Sequence, residues 1–171
     1  MKPDNLHKKE RLFNKAVKKA EERNDKGFFE GAALAYLEAA KLFSEKEHPE
    51  LVAVCFNDAG LVYTEAKKYI QAEKCLKRAL AIREKKLGKD NLDTAKTLSS
   101  LGVVFSEKRE FDIAEEYYQR VLEIRLNALE ENHPDIVGAY NNLGSLYGEK
   151  GEFDKAKKYY ELGSVDVCRI G

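Results

Sequence analysis

The stretch Asn57-Asp58-Ala59-Gly60-Leu61-Val62-Tyr63 returns without a gap as Ser99-Ser100-Leu101-Gly102-Val103-Val104-Phe105. It returns again as Asn141-Asn142-Leu143-Gly144-Ser145-Leu146-Tyr147. Gly60, Gly102 and Gly144 are 42 residues apart each time. Later landmarks keep step: Tyr69, Phe111 and Phe153, then Ala72, Ala114 and Ala156. Arg78-Ala79-Leu80 and Ile82-Arg83 return as Arg120-Val121-Leu122 and Ile124-Arg125. A fixed period of this length marks stacked supersecondary units. A weaker unit comes first, where Gly27-Phe28-Phe29, Ala32, Tyr36 and Ala39 match Tyr69, Ala72, Leu76 and Ala79 at a period of 40. Its first helix is expected over residues 6–24, with Ala16 and Ala20 at the small positions. Lys19 and Arg23 replace the apolar Ala59 and Tyr63 there, as in a divergent terminal repeat.

Each unit reads as two helices. Leu98, Leu101, Gly102 and Phe105 share one helical face by their spacing. A break at Lys108-Arg109-Glu110 is followed by a second face made of Ala114, Tyr118, Val121 and Leu122, with Ile113 and Ile124 beside them. Pro134 and Pro49 suit a first helical turn, where a missing N–H costs nothing. Asp135 and Glu50 follow them, where the helix dipole favours negative charge. Gly88 suits a helix stop, because glycine tolerates positive φ. The reading is an all-α, right-handed α-solenoid of antiparallel helix pairs over residues 6–163. Its four units cover approximately 6–46, 49–90, 92–132 and 134–163, with a tail at 164–171.

Composition agrees with this. The 171 residues carry 30 Lys+Arg against 30 Asp+Glu, with 43% apolar residues. That apolar share suffices for a core and argues against general disorder. Zero net charge argues against nucleic-acid binding over the whole surface. No run of 18 apolar residues suggests a membrane span, and the first 27 residues lack an export signal. Cys55, Cys75 and Cys168 are an odd set without close pairs, which suits buried thiols in a reducing, cytoplasmic setting.

The motif Tyr140-x2-Leu143-Gly144-x2-Tyr147 followed by Ala156-x3-Tyr160 resembles the tetratricopeptide repeat. Phe56-x2-Ala59-Gly60-x2-Tyr63 and Leu98-x2-Leu101-Gly102-x2-Phe105 are the same pattern with substitutions. The period departs from the family's usual length of about 34, and Glu84 and Leu126 stand where its helix-ending proline is usual. The longer form, with His133-Pro134-Asp135 before a first helix, is similar to kinesin light chain repeats. The resemblance implies a protein–protein interaction scaffold or adaptor without catalysis. In the helix pair, Gly60, Gly102, Gly144, Ala72, Ala114 and Ala156 are the expected close-contact positions.

No catalytic, cofactor or metal constellation emerges. His48 and His133 precede proline in equivalent loops and His7 lies near the start, none with ligand partners at metal spacing. A loop-capping role is expected for the two. Gly163-Ser164-Val165-Asp166 is not a nucleophile elbow, and no glycine-rich phosphate loop is present. Tyr63, Phe105, Tyr147, Phe111 and Tyr118 are expected in the core rather than in a cofactor box.

A stack of helix pairs offers a groove lined by first helices. Beside the core face of Phe56, Ala59, Gly60 and Tyr63 runs a stripe of Val54, Asn57, Leu61, Thr64 and Glu65. Its counterparts are Lys96, Ser99, Val103, Ser106 and Glu107, then Gly138, Asn141, Ser145, Gly148 and Glu149. In the first unit they are Asn14, Val17, Glu21, Asn24 and Asp25. Asn57, Ser99 and Asn141 form a column able to donate to and accept from a peptide backbone. The resemblance implies that use, against the plainer reading of a solvated surface. Glu65, Glu107 and Glu149 form a second column, which would favour a ligand with Lys or Arg. A carboxylate clamp of the chaperone-binding kind is not expected, since Val17, Glu21, Asp58, Lys96 and Ser100 offer one cation at its positions.

Residues 1–20 hold seven Lys/Arg against two acids, a local charge of 7 − 2 = +5. An anionic partner, RNA or acidic protein, is the alternative this offers. Gly163 is expected to interrupt the last helix, and Tyr159, Tyr160 and Leu162 to form an open apolar edge. That edge leaves three readings: a fragment of a longer protein, a homodimer, or a tail folded back.

Overall fold

The computed structural model describes residues 3–164. The expected tail beyond Ser164, including Cys168 and the end of the Gly163–Asp166 segment, lies outside them. The described residues form eight α-helices and no strand. They are α1 (Pro3–Asp25), α2 (Phe29–Ala40), α3 (Pro49–Glu65), α4 (Tyr69–Leu87), α5 (Leu92–Glu107), α6 (Phe111–Ala128), α7 (Pro134–Lys150) and α8 (Phe153–Ser164). The chain divides between Lys89 and Asp90 into two compact units, each holding two helix pairs.

One turn joins the two helices of every pair. Gly27, Lys67, Arg109 and Gly151 all have positive φ, between 56° and 79°. The residue after each returns its N–H to the carbonyl five residues back. Phe28 donates to Arg23, Lys68 to Tyr63, Glu110 to Phe105 and Glu152 to Tyr147, at 2.8–2.9 Å. This bond satisfies carbonyls that the helix end would leave open, and glycine takes the conformation most cheaply. Two of the four positions nevertheless carry long cations.

The helix starts follow the expected chemistry with one correction. Pro49 and Pro134 open α3 and α7. His133 caps α7, its Nδ1 accepting from the Asp135 N–H at 3.1 Å. His48 makes no such bond. Its ring instead packs edge-on against Phe43, centroids 4.7 Å apart. Asn91 caps α5 by accepting from the Asp93 N–H at 2.8 Å, a cap that the repeat pattern does not signal. Gly88 ends α4 at φ 95°.

Within the last three pairs the glycine seats the facing helix, while the wholly buried Ala20 holds that place in the first. A Cβ on Gly60 would lie 2.6 Å from Leu76 Cγ, and one on Gly144 2.8 Å from Tyr160 Cε1. A Cβ on Gly102 would overlap the Tyr118 ring. Ala72 and Ala114 are wholly buried and Ala156 nearly so. Glycine inside a helix costs about 1 kcal/mol against alanine, and this close approach offsets it. In the first unit Ala39, Phe43, Val52, Cys55 and Ile82 form one cluster, with Phe13 and Val17 of α1 packed on it. In the second, Leu101, Val104, Val121, Ile124, Ile136, Leu143 and Leu146 are fully buried.

Three sequence expectations change. Helix α8 runs through Gly163. A Cβ there would stand 3.1 Å from Asn141 Oδ1 and 3.4 Å from Tyr140 Cβ, so the residue permits close packing on α7. Ile113 faces solvent at 39% exposure rather than the core. Phe111 is half-buried, with the Arg109 guanidinium over its ring at 5.5 Å.

Candidate functional site

Most of the expected stripe on the first helices is at least partly open to solvent, Ser106 being buried. On α3, Val54, Leu61 and Glu65 are exposed, while Asn57 and Thr64 are half-buried. Thr64 Oγ1 donates to the Gly60 carbonyl at 2.9 Å, and Asn57 Nδ2 to Asp58 Oδ1 at 3.4 Å. Asp58 is held above the usual carboxylate range, chiefly by burial, against the lowering effect of Asn57 and Arg83. On α1, Asn14, Glu21 and Asp25 are exposed and Val17 and Asn24 half-buried.

On α5, Lys96, Val103 and Glu107 are exposed. Lys96 pairs with Asp93 at 2.9 Å. On α7, Asn141, Ser145 and Glu149 are exposed, and Gly138 and Gly148 leave the helix surface low. Two bonds fasten the helices side by side. Asn142 Nδ2 donates to Ser99 Oγ at 3.3 Å, and Ser106 Oγ to Glu149 Oε2 at 3.4 Å. Ser106 is buried at 8% exposure, so it spaces the two helices rather than meeting a ligand. Ser99 keeps one side open. Exposed on α5 are therefore Lys96, Val103 and Glu107, and on α7 Asn141, Ser145 and Glu149, with Asn141 Oδ1 lying on the side of Gly163 in α8.

That face is set by contacts behind it. Arg125, 9% exposed, sends Nη1 to the Asp135 carbonyl at 2.7 Å and anchors the first turn of α7 to α6. Burial lowers its pKa, with Asp135 working the other way. Tyr147 donates to Glu115 Oε1 at 2.6 Å, and Lys150 Nζ reaches Glu115 Oε2 at 2.9 Å. Burial alone would raise the Glu115 pKa, but these two bonds carry it below the usual range. Tyr147 is raised by burial and by the same carboxylate. Sequence reading missed Arg125 and Glu115 as organisers, because their partners lie on the next helix pair.

Cys55 and Cys75 are buried and free. Burial pushes the Cys55 thiol up to about 12, with Asp58 adding to it, and burial likewise raises Cys75. Raised thiols are poor nucleophiles. Among the described residues no group of three or more His, Cys, Asp or Glu is placed to hold a metal ion. No helix of the described residues is long and apolar enough to cross a membrane.

Helix pairs repeated in register, with an exposed face of mixed small, polar and acidic groups, define a helical-repeat protein. The tetratricopeptide repeat family matches residues 51–127 and 108–163, and the chain belongs to that family. Members of the family generally act as protein-binding scaffolds. Among solved structures, BtubC (BKLC) from P. vanneervenii is similar at 23% identity and TM-score 0.78 over 92% of this chain. The chain spans 63% of that protein's length. A Podosopora anserina kinesin-light-chain-type protein of nearly identical TPR-like repeats is similar at 16% identity and TM-score 0.75, over 92% of this chain and 77% of its own. MamA is similar at 21% identity and TM-score 0.51, over 89% of this chain and 90% of its own. No curated protein matches the chain. In fold, the described helix pairs resemble the kinesin-light-chain-type TPR-like repeats of that Podosopora anserina structure.

Proposed function

We propose that the chain is a non-catalytic adaptor that binds an extended peptide segment of a partner protein in a cytoplasmic setting. The observation that carries this is the α5–α7 face. Asn141 and Ser145 of α7 offer amide and hydroxyl groups to solvent, and on α5 Ser99 is half-buried and the apolar Val103 exposed. An extended backbone needs donors and acceptors in a column, and an apolar patch nearby supplies side-chain contact. In the other compact unit, Asn57 of α3 is half-buried and Leu61 exposed. Glu65, Glu107 and Glu149, all exposed, favour a segment carrying Lys or Arg.

The test is selection of peptides from a random display library on the immobilised protein, then titration of the selected peptide. Asn141→Ala with Ser145→Ala is expected to weaken binding about tenfold, since each lost hydrogen bond costs roughly 0.5–1.5 kcal/mol. Unchanged affinity would overturn the assignment of the face.

A second reading has its own observation. Lys8, Arg11, Lys15, Lys18 and Lys19 of α1 are all exposed, so an anionic partner has cations to meet. Binding there would fall steeply with salt. A third concerns α8: Tyr160 and Leu162 are 45% and 43% exposed, while Tyr159 is stacked on Tyr147. Self-association through that edge would appear as a dimer in sedimentation.

A further inference from the structure

The repeat register exposes a missing ring. In the third unit Phe105 stacks on Tyr117, with centroids 5.5 Å apart and planes 14° apart. In the fourth, Tyr147 stacks on Tyr159 at 5.3 Å and 8°. The corresponding positions of the second helix pair are Tyr63 and Cys75. A thiol there brings no ring to stack on Tyr63, which is 8% exposed against 4% for Phe105 and 3% for Tyr147. The cation above the ring is missing too. Lys108 lies 4.6 Å from the Phe105 centroid and Lys150 5.7 Å from that of Tyr147, but Ala66 takes their place.

A cavity remains beside the pair. Tyr63 and Cys75 line a cavity of about 680 Å³, with Phe56 and Leu37 as further apolar walls. Ligand cavities for small molecules run from roughly 300 to 1,000 Å³. Among the described residues, the charged side chains lining it are Lys74, Lys77 and Arg78. Lys77 and Arg78 also meet Glu73 and Glu45, yet their side chains stay 54% and 53% exposed. The raised thiol of Cys75 is neutral and adds no charge to the wall.

We propose that this cavity is a second binding site, distinct from the α5–α7 face, for a planar aromatic ring bearing a carboxylate. The ring takes the slot that tyrosine fills in the later repeats and stacks toward Tyr63. The carboxylate meets the cationic rim. A free aromatic acid and an aromatic side chain flanked by acids share this chemistry.

The test is titration followed by amide shifts of Tyr63, Cys75 and Leu37. The probes are 3-(4-hydroxyphenyl)propionate and acetyl-Asp-Tyr-Asp-amide, with tyramine and 3-cyclohexylpropionate as controls. Saturable shifts with either acidic aromatic probe support the site. The free acid binding more tightly assigns it to a small molecule, and the peptide binding more tightly to a partner's side chain. Tyramine, with the opposite charge, and the cyclohexyl acid, without a planar ring, are each expected at least tenfold weaker. Cys75→Tyr fills the slot and should abolish the shifts while raising the melting temperature. Lys74→Glu, on the exposed rim, should weaken both acidic probes several-fold without changing the melt. No shift with either probe, equal binding of a control, or full binding by Cys75→Tyr would overturn the proposal. None of these outcomes touches the α5–α7 face, whose peptide binding Cys75→Tyr leaves intact.

Discussion

The turn between paired helices puts a long side chain where glycine is preferred. Arg109, at φ 63°, takes the position that Gly27 and Gly151 hold in other pairs. A non-glycine residue in the left-handed region costs about 1–2 kcal/mol, offset in part by the greater freedom of glycine in the unfolded chain. Arg109→Gly is therefore expected to stabilise the protein by about 0.5–1 kcal/mol, read from urea midpoints. The opposite change applies at Gly102, whose missing Cβ seats the Tyr118 ring. Gly102→Leu should overpack the contact and cost roughly 1–3 kcal/mol, with a lower melting temperature as readout. A third residue-scale effect concerns pH. Glu115 has its pKa lowered on folding by Tyr147 and Lys150, with burial opposing them. Its contribution is complete above the ordinary carboxylate range and is lost as pH falls through the depressed value. Glu115→Gln should flatten the acid side of the stability profile and leave the neutral side's slope unchanged.

At the scale of the element, helices α5 and α7 present one face because contacts behind them fix their spacing. Ser106 meets Glu149, Asn142 meets Ser99, and Arg125 holds the start of α7. Arg125→Met keeps the apolar stem and removes the bond to the Asp135 carbonyl. It should cost about 1.5–3 kcal/mol, and hydrogen exchange should speed first at the N-terminal turn of α7. The helices themselves were legible in the sequence, since apolar spacing, Pro49 and Pro134, and the glycine period are all local signals. What was hidden depends on neighbours in space. The continuation of α8 through Gly163 follows from its approach to Asn141 and Tyr140. The burial of Ser106 follows from Glu149 on another helix. The choice of His133 but not His48 as a cap follows from Phe43, which holds the latter's ring. The expected site column was legible as a spacing, whereas its open and closed members were not.

At the scale of the molecule, the chain holds two compact units that meet in sequence at Lys89–Asp90, each with its own buried cluster. Repeat proteins are stabilised by terms within repeats and between neighbours. Zero net charge conceals an uneven arrangement: exposed cations along α1, and exposed glutamates at 65, 107 and 149. The adaptor reading gives the glutamates a ligand, and the peptide selection should then enrich Lys and Arg. The central claim is that the asparagine–serine column holds a peptide backbone. Its most direct test is calorimetric titration of a display-selected peptide into wild type and into the Ser99→Ala, Asn141→Ala double variant, with melting curves alongside. The account predicts affinity at least tenfold weaker in the double variant with the fold retained. Equal affinity in the two proteins would contradict it.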